Sequence, residues 1–268
     1  KYGPERHQIV TLINGFHGRT IATLTATGQE EMHKDFQPLV PGFIYTPAND
    51  CEALRKLVAE HDDIAAFMFE LVQGEGGVMP LEQSFVDCMV EIAKAKDILL
   101  VCDEVQTGNG RTGSLYAWMQ YGFKPDIMST AKGLGGGLPI GACLFGEKTE
   151  NVLTAGTHGS TFGGNPVVCA GALTILDRID DKLLADVKAK SAYLFEAFTG
   201  APGIKAVTGM GLMIGLQTEK PAAEVVAACM ANGVLVLTAH GRVRLLPALN
   251  IPMELVKKAA EVIRAACA

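Results

Sequence analysis

Continuous apolar segments that end in polar residues constrain the fold of this chain most. Residues 64–70 read Ile-Ala-Ala-Phe-Met-Phe-Glu, and residues 98–104 read Ile-Leu-Leu-Val-Cys-Asp-Glu. Helical patterns lie beside them, one starting near Asp50 and one spanning residues 85–93. Apolar strands alternating with amphipathic helices are typical of a parallel sheet covered on both faces. In such sheets ligands bind beyond the carboxyl ends of the strands, so we expect functional residues there.

The second part of the chain has a different pattern. Asn165 and Pro166 are favourable residues for a helix start, and a second helical stripe follows and ends at Gly200. Short strands and two more helices occupy the remainder. Because 268 residues correspond to roughly two domains at about 150 residues each, we predict a large α/β domain over residues 1–177 and a small α+β domain over residues 178–268.

Composition excludes several classes of protein. Hydrophobic residues make up 49% of the chain, which is enough for a sizeable core and argues against disorder. The net charge of −6 and the absence of a Lys/Arg run argue against nucleic-acid binding. No run approaches the ~18 apolar residues of a membrane span, and the first residues do not resemble a signal peptide. The seven cysteines are scattered, so we expect reduced thiols in a cytoplasmic protein and no metal site.

An acid and an amine follow two adjacent predicted strands. Asp103 ends the strand at 98–103, and Lys132 follows the strand at 126–130 and precedes a glycine-rich run. A carboxylate can keep a pyridine nitrogen protonated, and a lysine can form a Schiff base, which are the two groups that pyridoxal 5'-phosphate (PLP) requires. From these residues alone a plainer interpretation stays open, in which Asp103 caps a loop and Lys132 is a solvated amine.

A glycine motif offers a competing interpretation. Residues 108–113, Gly-Asn-Gly-Arg-Thr-Gly, fit the G-x-G-x-x-G pattern of dinucleotide-binding folds and follow a strand. That fold also needs a helix opening at the motif and an acidic residue about 20 positions further on. No acid stands at residues 128–133. We therefore predict a turn-rich loop.

Three longer motifs carry a resemblance to a known family. Residues 101–113 (VCDEVQTGNGRTG), 131–137 (AKGLGGG) and 158–166 (HGSTFGGNP) closely resemble the class III, ornithine-type, PLP-dependent aminotransferases. Residues 16–19 (FHGR), 73–77 (QGEGG) and 244–247 (RLLP) extend the resemblance over the whole chain. The family has the type I PLP-dependent aminotransferase fold and assembles as a homodimer with its active site at the subunit interface.

The resemblance implies a set of cofactor contacts. Lys132 binds PLP covalently and then carries the proton during amino transfer, while Asp103 pairs with the pyridinium nitrogen. The remaining cofactor-binding positions that it implies are Phe16 and Val105 on the two ring faces, Gln106 near the phenolic oxygen, His17, Ser160 and Thr161. Thr161 would donate to the cofactor phosphate of the neighbouring subunit.

The resemblance also implies the substrates. Arg244 would bind the α-carboxylate of glutamate or 2-oxoglutarate, Glu75 would mask Arg244 when the other substrate is bound, and Glu70 would lie beside the same site. A guanidinium binds a carboxylate in a bidentate manner, and a masking carboxylate avoids an unpaired charge. The expected reaction transfers the ω-amino group of N-acetylornithine to 2-oxoglutarate, a step of arginine biosynthesis.

Alternatives to this function remain. Ornithine, succinylornithine, succinyl-diaminopimelate and 4-aminobutyrate are other ω-amino donors of the family, and glutamate-1-semialdehyde aminomutase is a more distant relative. Judged by length, about the first third of a typical member is absent, including an expected Gly/Ser-rich turn that binds the cofactor phosphate. The remaining hypothesis is that a chain without this part is a non-catalytic protein that binds a partner.

Overall fold

The computed structural model describes residues 1–268 and contains eight α-helices and twelve strands. The helices are α1 Ile21–Ala26, α2 Glu30–His33, α3 Cys51–Glu60, α4 Gln83–Lys96, α5 Pro166–Leu176, α6 Asp181–Phe198, α7 Ala222–Ala231 and α8 Met253–Cys267. The strands are β1 Gln8–Leu12, β2 Phe43–Thr46, β3 Ile64–Phe69, β4 Val72–Gln73, β5 Met79–Pro80, β6 Leu99–Asp103, β7 Ile127–Thr130, β8 Ala142–Phe145, β9 Ile204–Met210, β10 Met213–Thr218, β11 Leu237–Ala239 and β12 Arg242–Leu245.

The chain divides into two compact units. The first comprises residues 1–71, 81–106 and 118–177, and the second comprises residues 72–80, 107–117 and 178–268. The two short segments of the second unit come from the part of the sequence that precedes residue 178. The domain boundaries inferred from the sequence stay a prediction, because a division of the chain by its internal contacts does not test whether each part folds independently.

The first unit is built on a six-stranded sheet in the order β2-β1-β3-β6-β7-β8. All neighbouring strands are parallel except β7 and β8, which pair antiparallel. Strands β3 and β6 are almost wholly buried, as their continuous apolar sequences predict. The predicted α/β class with a mainly parallel sheet is therefore confirmed.

Side-chain caps fix where helices α3 and α5 of the first unit begin. Asp50 Oδ1 accepts a hydrogen bond from the Ala53 amide at 2.9 Å and starts α3. Asn165 Oδ1 accepts from the Val167 amide at 3.0 Å and starts α5, which has Pro166 in its first turn. These residues occupy the helix starts expected from the sequence because short polar side chains satisfy amide groups that have no partner within the helix.

The second unit has its own sheet and its own core. Four strands pair antiparallel in the order β11-β12-β10-β9, and β4 and β5 form a separate two-stranded ribbon. Helices α6, α7 and α8 contribute Phe198, Val225 and Ile263 to the core, at 0%, 0% and 1% exposure. Asp180 caps α6 through the Leu183 amide at 2.8 Å. Gly200 follows α6 with φ +72°, which is the conformation that makes glycine a common helix stop.

The expectation that every cysteine is a free thiol is wrong for one pair. A disulfide joins Cys51 on α3 to Cys88 on α4, with a Cα–Cα separation of 6.3 Å. The two residues are 37 positions apart, and only the packing of the two helices brings them together. Five cysteines remain free: Cys102, Cys143, Cys169, Cys229 and Cys267.

None of the helices combines the length and the apolar character that crossing a membrane requires.

Candidate active site

The carboxyl ends of β6 and β7 place an acid and a hydroxyl side by side. Asp103 is the last residue of β6 and is paired in register with Ser129 on β7. Its side chain is 7% exposed, so the carboxylate is held in a largely water-free position. A buried carboxylate must be hydrogen-bonded to be stable, and the neighbouring groups supply those bonds.

Three donors surround the Asp103 carboxylate. Ser129 Oγ donates to Oδ1 at 2.9 Å, and the Val105 amide donates to the same oxygen at 3.1 Å. His17 Nδ1 lies 2.8 Å from Oδ2, with the His17 side chain fully buried. Together these contacts fix the orientation of the carboxylate. The sequence analysis had not singled out Ser129, although its place at the end of a strand beside that of Asp103 was a usable signal.

Three buried nitrogen atoms in this unit have no hydrogen-bond partner, and one of them is Nε1 of Trp118, to which we assign no role. The other two are Nε2 of His17 and Nε2 of Gln106. Native proteins rarely leave a buried polar atom unsatisfied, so each such atom indicates a missing partner. Both atoms belong to residues that the sequence analysis expected to contact PLP, and a polar ligand would satisfy them. The residues present therefore fit a planar cofactor with polar substituents.

Lys132 directly follows the strand that is paired with β6. It opens a short 3-10 turn, Lys132–Gly135, two residues after β7 ends, and its side chain is exposed. Its backbone has φ +47°, a left-handed conformation that non-glycine residues seldom adopt. Strain of this kind is concentrated at functional sites, where the surrounding structure holds it in place. The position thus presents an amine from a fixed, strained turn.

Phe16 and Glu70 lie together in the same unit. Glu70 is 3% exposed, and its Oε2 accepts a hydrogen bond from the Phe16 amide at 2.8 Å. The guanidinium carbon of Arg19 lies 5.5 Å from the centre of the Phe16 ring. Glu70 therefore orients the backbone of the FHGR motif. Its expected part in substrate binding stays a prediction, and Arg19 is a cation of this region that the sequence analysis left without a role.

Burial around β6 also shifts the pKa of a thiol. Cys102 precedes Asp103 and is 0% exposed, and desolvation, reinforced by Glu104, raises its pKa well above the ordinary value. Glu104 Oε1 in turn accepts from the Trp118 amide at 2.9 Å. Cys102 is therefore a neutral, unreactive thiol, and we assign it no chemistry.

The predicted phosphate-binding residues lie in an exposed segment. Ser160 and Thr161 belong to residues 152–167, all of which are exposed. Ser160 Oγ accepts from the Gly163 amide at 3.1 Å, which closes a local turn. The structure does not bring Ser160 or Thr161 into contact with Asp103 or His17, and their expected contacts with a phosphate stay predictions.

The second unit contains the predicted carboxylate-binding pair. Arg244 lies on β12, and its Nη1 donates to Oε1 of Glu75 at 2.7 Å. Glu75 belongs to the turn between β4 and β5. The two side chains are 9% and 30% exposed. Arg244 Nε is buried and has no partner, so the guanidinium retains a donor for another acceptor.

The glycine motif at residues 108–113 has a structural explanation in the same unit. No helix begins in it, and the guanidinium of Arg111 donates to the backbone oxygens of Leu212 at 3.1 Å and Pro247 at 2.6 Å. Burial lowers the pKa of Arg111 to about 10. The motif therefore lies in a loop that Arg111 links to Leu212, just before β10, and to Pro247, just after the strand of Arg244.

Comparison with known proteins agrees with this geometry. The chain matches the family model described as aminotransferase class-III over residues 1–267. It is 45% identical over 265 residues to an acetylornithine aminotransferase from Haemophilus ducreyi, covering 98% of this chain and 67% of that protein.

Solved structures are similar over nearly the whole chain. An ornithine aminotransferase from Toxoplasma gondii, described with partial occupancy of PLP at its active site, superposes with a TM-score of 0.90 at 32% identity, covering 98% of this chain and 65% of that one. An N-acetylornithine aminotransferase from Stenotrophomonas maltophilia superposes with a TM-score of 0.81 at 34% identity, covering 98% and 66%. The chain thus spans about two thirds of the length of these relatives.

A parallel sheet with an acid and an amine at its carboxyl edge defines a class of cofactor-dependent enzymes. Within that class, this chain belongs to the class-III aminotransferase family. PLP is the cofactor of this family, and the buried acid and the unsatisfied nitrogens described above fit it.

Proposed function

We propose that this chain catalyses a PLP-dependent transamination in which N-acetylornithine gives its ω-amino group to 2-oxoglutarate, yielding N-acetylglutamate semialdehyde and glutamate. The observation that carries the transaminase assignment is the buried Asp103 carboxylate, oriented by Ser129, Val105 and His17. The choice of donor is supported by the names of the relatives, several of which are acetylornithine aminotransferases at 40–45% identity. Arginine biosynthesis is the corresponding pathway, and a cytoplasmic location is part of the proposal.

Asp103 and Lys132 divide the proton chemistry. When bound, PLP supplies an electron sink for the substrate carbon that loses its proton. Asp103 holds a proton on the ring nitrogen, because a charged carboxylate with three hydrogen-bond donors stabilises a cation beside it. Lys132 holds the cofactor through its Nζ and moves the substrate proton after it is released. Phe16 and Val105 flank the ring and exclude water.

The side chains with unsatisfied nitrogens hold the cofactor in place. Gln106 Nε2 would donate to the phenolic oxygen, and His17 Nε2 would be available to a polar group of the cofactor or substrate. His17 also orients Asp103 through the 2.8 Å contact between its Nδ1 and the carboxylate. Ser160 and Thr161 donate to a phosphate, with Thr161 serving the partner subunit.

Arg244 and Glu75 adapt the enzyme to two substrates. Arg244 binds the α-carboxylate of glutamate or 2-oxoglutarate, and Glu75 takes that place at 2.7 Å when the donor is bound. Without Glu75 a guanidinium that is 9% exposed would stay unpaired, which is costly. The exchange of one carboxylate for another keeps the charge of this site balanced through both half-reactions.

A homodimer is part of the proposal, and an exposed apolar surface supports it. All four residues of β8 are exposed, and α5 is apolar nearly throughout although only Ala172 of it is buried. A helix that is apolar all round is normally covered. The exposed large side chains of this surface include Leu144, Phe145, Phe162, Val167 and Leu173. A second copy of the chain would cover them.

The oligomeric state can be tested with two matched variants. We expect Leu173→Glu to reduce the molar mass measured by light scattering from that of two chains to that of one. Leu255→Glu is the control, because Leu255 is also exposed, at 46%, but lies on α8 in the second unit. A wild-type chain that is monomeric at micromolar concentration would refute the dimer.

The function is tested by visible absorption of the purified chain with added PLP. We expect a yellow band that persists on dialysis, is absent in Lys132→Ala and bleaches when N-acetylornithine alone is added. Loss of the band only with ornithine or 4-aminobutyrate would show that the chain uses that ω-amino donor instead of N-acetylornithine. Product formation from glutamate-1-semialdehyde without 2-oxoglutarate would indicate a mutase, and a chain that never retains PLP would refute the proposal.

A further inference from the structure

The residue opposite Arg244 in the sheet is a glycine. Gly215 lies in the middle of β10, paired with Arg244 on β12 and with Thr208 on β9. Glycine inside a strand weakens it and often marks a place where another part of the backbone comes close. Its neighbours Met213, Ile214 and Leu216 on the same strand are fully buried.

The turn that carries Glu75 lies directly on Gly215. A Cβ built on Gly215 would be 2.8 Å from the backbone oxygen of Gly77 and 2.9 Å from Cβ of Val78. It would also be 2.9 Å from Oγ1 of Thr208. The backbone of Gly215 is outside the left-handed region, so its dihedral angles alone would accept alanine. The missing side chain matters because it leaves room for the turn and for the hydroxyl of Thr208.

Val78 anchors the other end of this contact. It is 0% exposed and packs with Val72 and Met213 in a small apolar cluster. Its φ of +57° is a genuine outlier for a β-branched residue. The cluster therefore holds the turn in a strained conformation against β10, because burial of the Val78 side chain offsets the strain.

We propose that Gly215 is a specificity-determining positioning residue. Its missing side chain lets the turn at Gly77 and Val78 rest on β10, which places Glu75 at 2.7 Å from Arg244. That distance sets how readily the carboxylate of a substrate displaces Glu75. The inference rests on the proposed exchange of carboxylates at Arg244 and adds the residue that controls it.

The size of the effect follows from the contacts. An alanine Cβ needs about 0.6 Å more room to reach ordinary contact with the Gly77 oxygen. Moving Glu75 by that amount would lengthen its contact beyond the 2.7–3.2 Å typical of an N–H···O bond. Losing one charge-assisted hydrogen bond corresponds to about tenfold in an equilibrium.

Direct binding of a dicarboxylate tests the inference without turnover. Glutarate has two carboxylates and no group that can be transaminated, so calorimetric titration reports only how available Arg244 is. We expect Gly215→Ala to bind glutarate about tenfold more tightly than wild type, because Glu75 competes less. Val78→Gly, which loosens the turn without adding an atom, should shift the affinity in the same direction.

A double-mutant cycle separates positioning from general destabilisation. In the Glu75→Gln background, Gly215→Ala should change glutarate affinity by less than twofold, since both substitutions act on one contact. Single-turnover rates should also diverge, with the glutamate half-reaction favoured over the N-acetylornithine half-reaction by about tenfold. Weaker glutarate binding by Gly215→Ala, or an undiminished effect in the Glu75→Gln background, would overturn the inference. Failure of wild type to use N-acetylornithine would instead refute the proposed function alone.

Discussion

Replacing Asp103 with asparagine is the most direct perturbation of the candidate site. Asparagine has nearly the same shape, and its carbonyl oxygen can keep the hydrogen bonds from Ser129 at 2.9 Å and Val105 at 3.1 Å. The amide group would replace the charged oxygen that lies 2.8 Å from His17 Nδ1. The substitution therefore removes a negative charge from a position that is 5% exposed and leaves the packing unchanged.

The expected loss follows from the charge. A hydrogen bond to a charged group contributes about 1.5–3 kcal/mol, which corresponds to roughly 10- to 150-fold in a rate constant. In addition, the ring nitrogen would lose the carboxylate that keeps it protonated. We therefore expect kcat/KM for N-acetylornithine to fall by at least about a hundredfold, measured by coupled assay of glutamate formation.

Asp126→Asn is the matched control. Asp126 immediately precedes β7, and its carboxylate accepts from the Leu100 amide at 2.9 Å and pairs with Lys148. It thus has a comparable structural role at the amino end of the strand whose carboxyl end holds Ser129. We expect it to lower the free energy of unfolding and to leave kcat/KM within twofold of wild type. Equal activity of Asp103→Asn and Asp126→Asn would refute the role assigned to Asp103.

Three further predictions concern stability and thiol chemistry. Tyr121→Phe removes a buried hydrogen bond to the Leu81 oxygen at 2.8 Å and should cost about 1 kcal/mol in urea unfolding. Burial raises the pKa of Tyr121 to about 12, so in wild type the unfolded chain ionises first and stability should fall as the pH rises from 10 to 12, a fall that Tyr121→Phe should reduce. Asn165→Ala removes the cap of α5 and should lower stability by about 1 kcal/mol, measured by thermal unfolding. In native protein, Ellman's reagent should modify Cys143, which is exposed, and leave Cys102 unmodified until the chain unfolds.

The sequence could predict those parts of the fold whose residues carry a strong local pattern. Strands β3 and β6 are continuous apolar runs because both faces of the parallel sheet are covered. Strand β8, Ala-Cys-Leu-Phe, is also an apolar run, but a run of four residues does not by itself distinguish a strand from a helix segment, and β8 was not predicted. Strand β2, Phe-Ile-Tyr-Thr at the edge of the sheet, was not predicted either, and it too is only four residues long.

The same limit applies to the candidate site. Asp103 and Lys132 were visible because each follows a predicted strand, and the edge of a parallel sheet is where ligands bind. The contact of His17 with Asp103 spans 86 residues, and that of Arg244 with Glu75 spans 169. Contacts of this range depend on the tertiary fold, so only a resemblance could suggest roles for these residues. The hydroxyl of Ser129 and the missing side chain of Gly215 became significant only when their strand partners were known.

Both clusters of functional residues contain a residue with a strained backbone. The non-glycine residues with left-handed backbone are Asn, Asp or His, which tolerate it, except for Val78 and Lys132. Val78 fixes the turn that carries Glu75, and Lys132 carries the amine that we propose to hold PLP. Glycine would relax the backbone at either position but would remove the apolar anchor or the amine. The strain is therefore the cost of keeping a side chain where the backbone favours glycine, and in each unit it falls beside the residues to which we assign chemistry.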